Sequence, residues 1–234
     1  MNIIVTGASQ GIGYELVKQL SRHNNHKILA IARNKESLKR LANECKKVNE
    51  SAEVLPFAFD LLHGDFSTMK NEIREVMNEK VDVVINNAGA LVKKPLADLS
   101  NLDFDTMFGV NMKAPFRVAQ QVVPFMGEGA HFVNISSMAG YPGSLKFPGM
   151  TLYSASKGAL GAFTEALSAE LLPEKIKVNC LAIGAVETEM MRRAFPEADA
   201  PLKPHEMAEY IADFALNAGR FYNGKVLPVA ITTP

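Results

Sequence analysis

Short apolar runs alternate with amphipathic segments along almost the whole chain, and this alternation constrains the fold more than any other feature. The apolar runs have the length and composition of buried strands, and they cover residues 2–5, 27–32, 54–59, 81–86, 130–135, 176–182 and 225–229. The segments between them repeat apolar residues at helical spacing, and they cover residues 12–22, 36–48, 67–78, 104–126, 153–172 and 205–218. Strands separated by helices pair in parallel, because a parallel crossover needs a connection of helix size. Right-handed crossovers place helices on both faces, so the sequence predicts a single α/β domain with a doubly wound parallel sheet of about seven strands.

The composition is that of an ordinary globular protein. Of the 234 residues, 47% are hydrophobic and 21% are charged, and the formal net charge is zero. Such a balance gives no attraction to nucleic acid or anionic membrane, and no apolar stretch approaches the roughly 20 residues that a membrane helix needs. Met1 leads directly into the first strand, so we expect no signal peptide. Cys45 and Cys180 are expected to be free and buried, which suits a reducing cytoplasm, and the five histidines show no spacing that predicts a metal site.

A glycine-rich turn, residues 6–13 with the sequence TGASQGIG, follows the first strand and opens an amphipathic helix. Glycine allows a tight turn, a close approach of backbone to a pyrophosphate, and close packing of a helix on a strand. The helix that begins near Gly11 would direct its unpaired N–H groups at the phosphates. This strand–turn–helix context predicts an NAD(P)-binding Rossmann domain over residues 1–234. The cofactor contacts predicted in the turn are Gly7, Ser9, Gln10, Gly11, Ile12 and Gly13.

The end of the second strand indicates which dinucleotide is bound. A carboxylate that binds the ribose is expected about 20 residues past the glycines, but Arg33 stands there, and residues 28–35 contain no Asp or Glu. A guanidinium would form charge-assisted hydrogen bonds with a 2′-phosphate and would gain nothing from a bare ribose. The alternative is a solvated arginine at a strand end. We expect NADP(H) to be favoured over NAD(H).

The pattern Tyr-x-x-x-Lys occurs twice, as Tyr153 with Lys157 and as Tyr14 with Lys18. A free phenol has a pKa of about 10, and a lysine ammonium at i+4 on the same helix face can lower that pKa. A tyrosine with a lowered pKa can protonate an alkoxide as a hydride arrives at a carbonyl carbon. The spacing alone does not decide between the two pairs, so the choice depends on their context.

Taken together, these residues resemble the short-chain dehydrogenase/reductase family in its compact form, from Thr6 to about Thr188. The glycine turn matches the family's cofactor turn. Residues 134–137, NISS, match its serine motif, and residues 153–157, YSASK, match its Tyr-x-x-x-Lys motif. This context selects Tyr153, because Tyr14 lies on the helix that follows the glycine turn.

The resemblance implies a role for each matching residue. Tyr153 would be the general acid in reduction and the general base in oxidation, and Ser137 would orient the substrate carbonyl. Lys157 would lower the pKa of Tyr153 and hold the nicotinamide ribose, and Asn111 would position a water that links Lys157 to solvent. Further cofactor contacts are implied at Asp60, Leu61, Asn87, Ala88, Gly89, Gly184, Val186 and Thr188.

The chain departs from the family pattern in three places. The segment 138–152 is a few residues longer than usual, and Tyr141, Phe147 and Met150 are available there to line a substrate pocket. Ile183 stands where the family usually has a proline. The tail lacks the common Asp-Gly-Gly ending, which weakens any match to the acyl-carrier-protein reductase branch.

The leading interpretation is an NADP(H)-dependent oxidoreductase that interconverts a carbonyl and a secondary alcohol by hydride transfer on a small or medium, partly apolar substrate. The alternatives are a reductase of 3-oxoacyl thioesters and a non-catalytic NADP(H)-sensing protein. The complete set of Asn111, Ser137, Tyr153 and Lys157 argues against the sensing protein, since a binder needs only the glycine turn and Arg33. The long helices predicted at 104–126 and 153–172 could form an interface, so we expect a homodimer or homotetramer.

Overall fold

The computed structural model describes residues 1–23 and 25–231, so residues 232–234 of the tail lie outside the described residues. The described chain forms one sheet of seven strands: β1 (Asn2–Thr6), β2 (Lys27–Ala32), β3 (Glu53–Ala58), β4 (Val81–Asn86), β5 (Met126–Ser137), β6 (Lys177–Ile183) and β7 (Lys225–Val229). The strand order is β3-β2-β1-β4-β5-β6-β7, and every neighbouring pair is parallel. The predicted doubly wound parallel sheet is confirmed.

Helices cover both faces of this sheet. They are α1 (Gly11–Leu20), α2 (Lys35–Val48), α3 (Phe66–Val76), α4 (Asn101–Phe108), α5 (Ala114–Val122), α6 (Thr151–Glu170), α7 (Glu189–Ala194) and α8 (Pro204–Asn217). On one face, α1, α2 and α8 bury their apolar residues, and on the other face α3, α5 and α6 do so. Successive residues of β1 enter opposite clusters, since Ile3 and Val5 belong to the first and Ile4 to the second. The strands are continuous apolar runs in the sequence because both of their faces are buried.

The segment predicted as one helix over 104–126 is different in the structure. A π-helical turn at Gly109–Lys113 separates α4 from α5, and Met126 already belongs to β5. The strand predicted at 130–135 is therefore longer than expected, and its first residue pairs with Val81 of β4 across a register shift. Glycines at 127 and 129 gave this part of the strand the composition of a loop.

The segment 187–204, which lies outside the helices and strands predicted from the sequence, contains the short helix α7. Its first turn is capped by Thr188, whose side chain accepts a hydrogen bond from the N–H of Met191. Prolines at 196, 201 and 204 hid the helix in the sequence, and Pro204 itself begins α8. Most of the remaining helix and strand ends differ from the prediction by one or two residues, the usual scatter at frayed ends.

The order of the strands determines where a ligand can bind. The chain leaves β1 toward β2 and β3 on one side, and it later builds β4 to β7 on the other side. Connections that diverge from neighbouring strands leave a crevice at the carboxyl ends of those strands. Among residues 1–23 and 25–231, no helix has the length and apolar character needed to span a bilayer.

Candidate active site

A cavity of about 590 Å³ opens at the carboxyl ends of the central strands. Most of the residues predicted for the site line this cavity: Gly7, Ser9, Gln10, Gly11, Ile12, Arg33, Asp60, Leu61, Asn87, Ala88, Gly89, Ser137, Tyr153, Lys157, Gly184, Val186 and Thr188. The other two predicted residues, Gly13 and Asn111, lie behind the wall, against residues that form it. The fold thus gathers residues from both halves of the chain at one crevice.

The glycine turn is packed so closely that side chains are excluded from it. Gly7 has a φ of +71°, and a Cβ on Gly13 would lie 2.3 Å from the carbonyl oxygen of Gly7 and 2.4 Å from Nδ2 of Asn87. The same Asn87 amide donates a hydrogen bond to the carbonyl of Thr6 at 3.1 Å. Gly13 therefore supports the turn from behind, and its predicted contact with the cofactor stays a prediction.

The first turn of α1 is open to an anion. Within the described residues, the side chain of its N-cap residue, Gln10, makes no capping bond, whereas Asn34, Asp65, Ser100 and Thr188 cap their helices. Gly11 and Ile12 of this turn line the cavity, so their N–H groups can bind a phosphate. A Cβ on Gly11 would lie 3.5 Å from Cγ2 of Thr188, so the turn after β1 faces the segment after β6 across a narrow cleft. The closely packed glycines and the uncapped helix fit the pyrophosphate of a dinucleotide.

The residues that follow the outer strands form one side of the cavity. Arg33 is exposed at the end of β2, and Asp60 follows β3. Oδ1 of Asp60 accepts a hydrogen bond from the N–H of Leu62 at 2.8 Å, which fixes the turn in which it lies. Because the strand order runs β3-β2-β1-β4-β5, this side lies away from Ser137 at the end of β5.

Tyr153 lies in the first turn of α6 and is 9% exposed, on the wall of the cavity. Burial raises the pKa of its phenol, and a hydrogen bond with the side chain of Ser137 lowers it. The hydroxyl oxygen of Ser137 also accepts a hydrogen bond from the N–H of Ala139 at 3.1 Å. This contact orients the hydroxyl at the point where β5 ends and the chain turns toward α6.

Lys157 lies one turn further along α6 and is 5% exposed. Its Nζ donates a hydrogen bond to the carbonyl oxygen of Ile135 at 2.8 Å. Burial lowers the pKa of Lys157 to about 8, and the Cys180 thiol beside it acts in the opposite direction. That Lys157 lowers the pKa of Tyr153 stays a prediction, and in this structure its ammonium is bound to the end of β5.

Asn111 is completely buried in the π-helical turn between α4 and α5. Its Nδ2 donates to the carbonyl of Ala90 at 2.9 Å and to the hydroxyl of Ser156 at 3.0 Å, and its Oδ1 accepts from the N–H of Ala90 at 2.8 Å. A Cβ on Gly89 would lie 3.5 Å from both Oδ1 of Asn111 and Nζ of Lys157. The amide therefore fixes the chain after β4 against α6, close to Lys157.

The turn after β5 is joined to the helix that carries Tyr153 and Lys157. A Cβ on Gly140 would lie 2.5 Å from the backbone of Lys157 and of Gly158, so only glycine permits this approach. The hydroxyl of Ser136 donates to the carbonyl oxygen of Lys157 at 2.8 Å. Sequence reasoning missed both contacts. Gly140 and Ser136 can be identified in the sequence, but only the structure shows that both contact the backbone of Lys157.

Part of the cavity wall is formed by apolar side chains. Phe147 and Met150 lie in it as expected, whereas Tyr141, named with them, lies outside it. The sequence reading missed several apolar lining residues from the segments after β4 and β6: Leu91, Met190, Met191 and Phe195. Neither a loop residue such as Leu91 nor a helix of six residues such as α7 gives a clear periodic signal, so only the fold could identify these residues.

Tyr14 and Lys18 lie elsewhere, on α1. Tyr14 packs against the core cluster, and Nζ of Lys18 lies 5.8 Å from the centre of its ring. Burial raises the pKa of this phenol as well. Neither residue lines the cavity, which agrees with the choice of Tyr153.

Comparisons with known proteins agree with this geometry. A family model described as short chain dehydrogenase matches residues 1–199. The chain is 32% identical over 216 residues to carbonyl reductase (NADPH) 2 of Sus scrofa, covering 90% of this chain and 83% of the relative. It is 30% identical over 228 residues to an uncharacterized oxidoreductase of Staphylococcus aureus, covering 94% and 92%. Among solved structures, a short chain dehydrogenase from Burkholderia cenocepacia in complex with NADP superposes with a TM-score of 0.84 at 26% identity, covering 97% and 95%. The chain belongs to the short-chain dehydrogenase/reductase family of oxidoreductases.

Proposed function

We propose that this protein is an NADP(H)-dependent oxidoreductase that interconverts a carbonyl and a secondary alcohol, with Tyr153 as the acid and base. The observation that carries the proposal is the unit formed by Ser137, Tyr153 and Lys157. A serine side chain adjoins a phenol at the wall of the cavity and lowers its pKa against the effect of burial, and a buried lysine lies one helical turn away. This unit adjoins the cleft whose glycine turn fits a dinucleotide.

The preference for NADP(H) is supported by Arg33. Its guanidinium is exposed at the end of β2, on the wall of the cavity, where it could bind a 2′-phosphate. The name of the Sus scrofa relative specifies NADPH, and the Burkholderia structure contains NADP. Asp60, Leu61, Asn87, Ala88, Gly89, Gly184, Val186 and Thr188 would hold the remainder of the cofactor.

The chemistry that the bound nicotinamide supplies is the hydride, and the protein supplies position and protons. Ser137 would donate a hydrogen bond to the carbonyl oxygen of the substrate and place it beside the phenol of Tyr153. Because burial raises the pKa of Tyr153, the phenol is protonated at neutral pH and ready to donate to the developing alkoxide.

Lys157 would then return the proton. A buried ammonium with a pKa of about 8 exchanges its proton near neutral pH, unlike a solvated lysine. Asn111 holds the chain after β4 next to Lys157, and we propose that this region admits the water that connects Lys157 to solvent. Oxidation of an alcohol would use the same groups in the opposite direction.

We further propose that the chain acts as a homodimer or homotetramer. On α4 and α5, the side chains of Leu102, Phe104 and Phe116 are exposed, and the ring of Phe116 packs edge-on against Phe163 of α6 at 6.3 Å. A second copy could cover this apolar surface. Light scattering of the purified protein tests the proposal, and a monomeric mass at micromolar concentration would contradict it.

The experiment that tests the activity follows NADPH oxidation with ketones, aldehydes, quinones and short 3-oxoacyl thioesters. Tyr153→Phe is expected to keep NADPH binding and to lose about 10²–10⁴-fold in turnover, which is the usual contribution of positioned acid catalysis. Tyr14→Phe is the matched control, because it removes the hydroxyl of the other Tyr-x-x-x-Lys pair, and it should retain the wild-type rate. Equal rates in wild type and Tyr153→Phe would refute the assignment. Preference for 3-oxoacyl thioesters would favour that branch, and NADPH binding without turnover on any substrate would favour the sensing protein.

A further inference from the structure

Lys93 connects the walls of the cavity at its apolar end. It belongs to the chain that follows β4, and its aliphatic stem lies against Gly149, where a Cβ would approach its Cγ to 3.2 Å. From there its Nζ reaches the end of α7, donates to the carbonyl oxygen of Ala194 at 2.9 Å, and lies 3.8 Å from the ring centre of Phe195. One side chain thus contacts the segments that follow β4, β5 and β6.

Both contacts at the end of α7 favour a cation. The carbonyl of Ala194 is at the negative end of a helix, where an ammonium is stabilised. The face of an aromatic ring attracts a cation within about 6 Å of its centre. Lys93 therefore holds the main chain and the ring of adjacent residues at the same time.

The ring that Lys93 holds forms part of the apolar wall. Phe195 and Phe147 both line the cavity, and their rings meet edge to face at a centroid distance of 5.9 Å. The residue after Lys93 is also joined to the segment that carries Phe147, since the N–H of Lys94 donates to the carbonyl of Gly149 at 3.0 Å. The position of Phe195 relative to Phe147 depends on the contacts of Lys93.

The other end of α7 has its own anchor. The N–H of Glu187 donates to the carbonyl of Leu202 at 2.8 Å, and its carboxylate pairs with Arg192 and Lys203. With this end held, loss of the Lys93 contacts would release mainly the end of α7 that carries Phe195.

We propose that Lys93 is a specificity-determining residue that limits the bulk of the carbonyl substrate by holding Phe195 against Phe147. This proposal rests on the proposed function, because it concerns the substrates of the same cavity. A small apolar ketone reaches Tyr153 without moving Phe195. A bulky ketone requires Phe195 to move, so it must break the contacts of Lys93.

The test uses cyclohexanone and 4-phenylcyclohexanone, which share one carbonyl environment and differ in bulk. Lys93→Met keeps the stem and removes the cation, Lys93→Arg restores a cationic donor, and Lys94→Met is the matched control. Lys94 is the neighbouring residue, and its Nζ pairs with Asp103 on α4 at 2.9 Å, away from α7. A cation–aromatic contact of this kind is worth about a two- to fivefold change in an equilibrium. We therefore expect Lys93→Met to raise kcat/KM for 4-phenylcyclohexanone relative to cyclohexanone about fivefold.

In Lys93→Met we expect a lower KM for 4-phenylcyclohexanone and an unchanged kcat for cyclohexanone. Lys93→Arg should restore the wild-type ratio of the two kcat/KM values. Hydrogen exchange at the amide of Phe195, which donates to the carbonyl of Met191, should be faster in Lys93→Met and unchanged in Lys94→Met. A ratio and an exchange rate in Lys93→Met equal to those of Lys94→Met would overturn the proposal. If wild type reduces no ketone, the proposed function fails, and the exchange rate alone then decides whether Lys93 holds Phe195.

Discussion

Asn111 forms two hydrogen bonds with the backbone of one residue, Ala90. Its Nδ2 donates to the carbonyl oxygen of Ala90 at 2.9 Å, and its Oδ1 accepts from the N–H of Ala90 at 2.8 Å. The side-chain amide thus pairs with the main chain after β4 as a neighbouring strand would. A π-helical turn brings the amide to this position, so the interruption of the long helix has a structural purpose.

Replacing Asn111 by leucine is expected to lower the free energy of unfolding by about 2–4 kcal/mol, because the half-buried N–H and C=O of Ala90 lose their partners. The hydroxyl of Ser156 loses a contact as well. Urea unfolding measures the change. Asn101→Leu, at an exposed position at the start of α4, is the control and should unfold as wild type does. An Asn111→Leu variant as stable as Asn101→Leu would contradict the structure.

Replacing Gly13 by alanine is expected to abolish NADPH binding and to cost about 1–3 kcal/mol in stability, because the added Cβ overlaps Gly7 and Asn87. NADPH titration followed by fluorescence and urea unfolding measure the two effects. Gly127→Ala is the matched control, since the described structure places no atom within 4 Å of a Cβ at that position. Normal NADPH affinity in Gly13→Ala would show that the glycine turn has room for a Cβ at residue 13, which these distances exclude.

Replacing Arg33 by glutamine is expected to weaken NADPH binding about tenfold or more and to leave NADH binding almost unchanged. A hydrogen bond to a charged group is worth about 1.5–3 kcal/mol, and only NADPH carries the 2′-phosphate that would make it. Arg22→Gln makes the same change of charge beyond the end of α1 and controls for long-range attraction. Equal losses of affinity for NADPH and NADH would mean that Arg33 does not bind the 2′-phosphate.

Acid is expected to weaken the fold through His131, which is buried in β5. Its Nδ1 is hydrogen-bonded to the carbonyl of Ala215 and its Nε2 to the amide of Asn179, both at 3.0 Å, an arrangement that fits a neutral ring with its proton on Nδ1. Burial lowers the pKa of His131 to about 4. The unfolded chain therefore binds a proton that the folded chain does not, between pH values of about 6.5 and 4.

The contribution of His131 to stability is complete above pH 6.5 and decreases as the pH falls toward 4, by at most about 3 kcal/mol. Urea unfolding at several pH values should show this slope in wild type. Subtracting the stability profile of His63→Gln from that of wild type should cancel this slope. Subtracting the profile of His131→Gln should leave it. Parallel pH profiles for wild type and His131→Gln would contradict the assignment.

The sequence predicted the sheet and most of the cavity wall, because strand and helix periodicities and the motif spacings are local signals. It failed where local composition and tertiary context disagree. Glycines at 127 and 129 disguised the start of β5, and prolines disguised α7. The motif also does not say which of its glycines packs against Asn87, so the place of Gly13 behind the turn is known only from the structure. Lys93 gave no signal at all, since its partners, Ala194 and Phe195, are brought to it only by the fold.

Gly140 has a consequence for how such a chain can change its chemistry. Because it lies against the backbone of Lys157, the turn after β5 is joined to the helix whose residues we propose to handle protons, whereas α7 and Phe195 belong to a segment attached across the cavity. Substitutions at Met190, Met191 and Phe195 in that segment could be made without disturbing the contact of Gly140 with Lys157. In the enzyme that we propose, the residues that select the compound and the residues that perform the chemistry could therefore be altered independently.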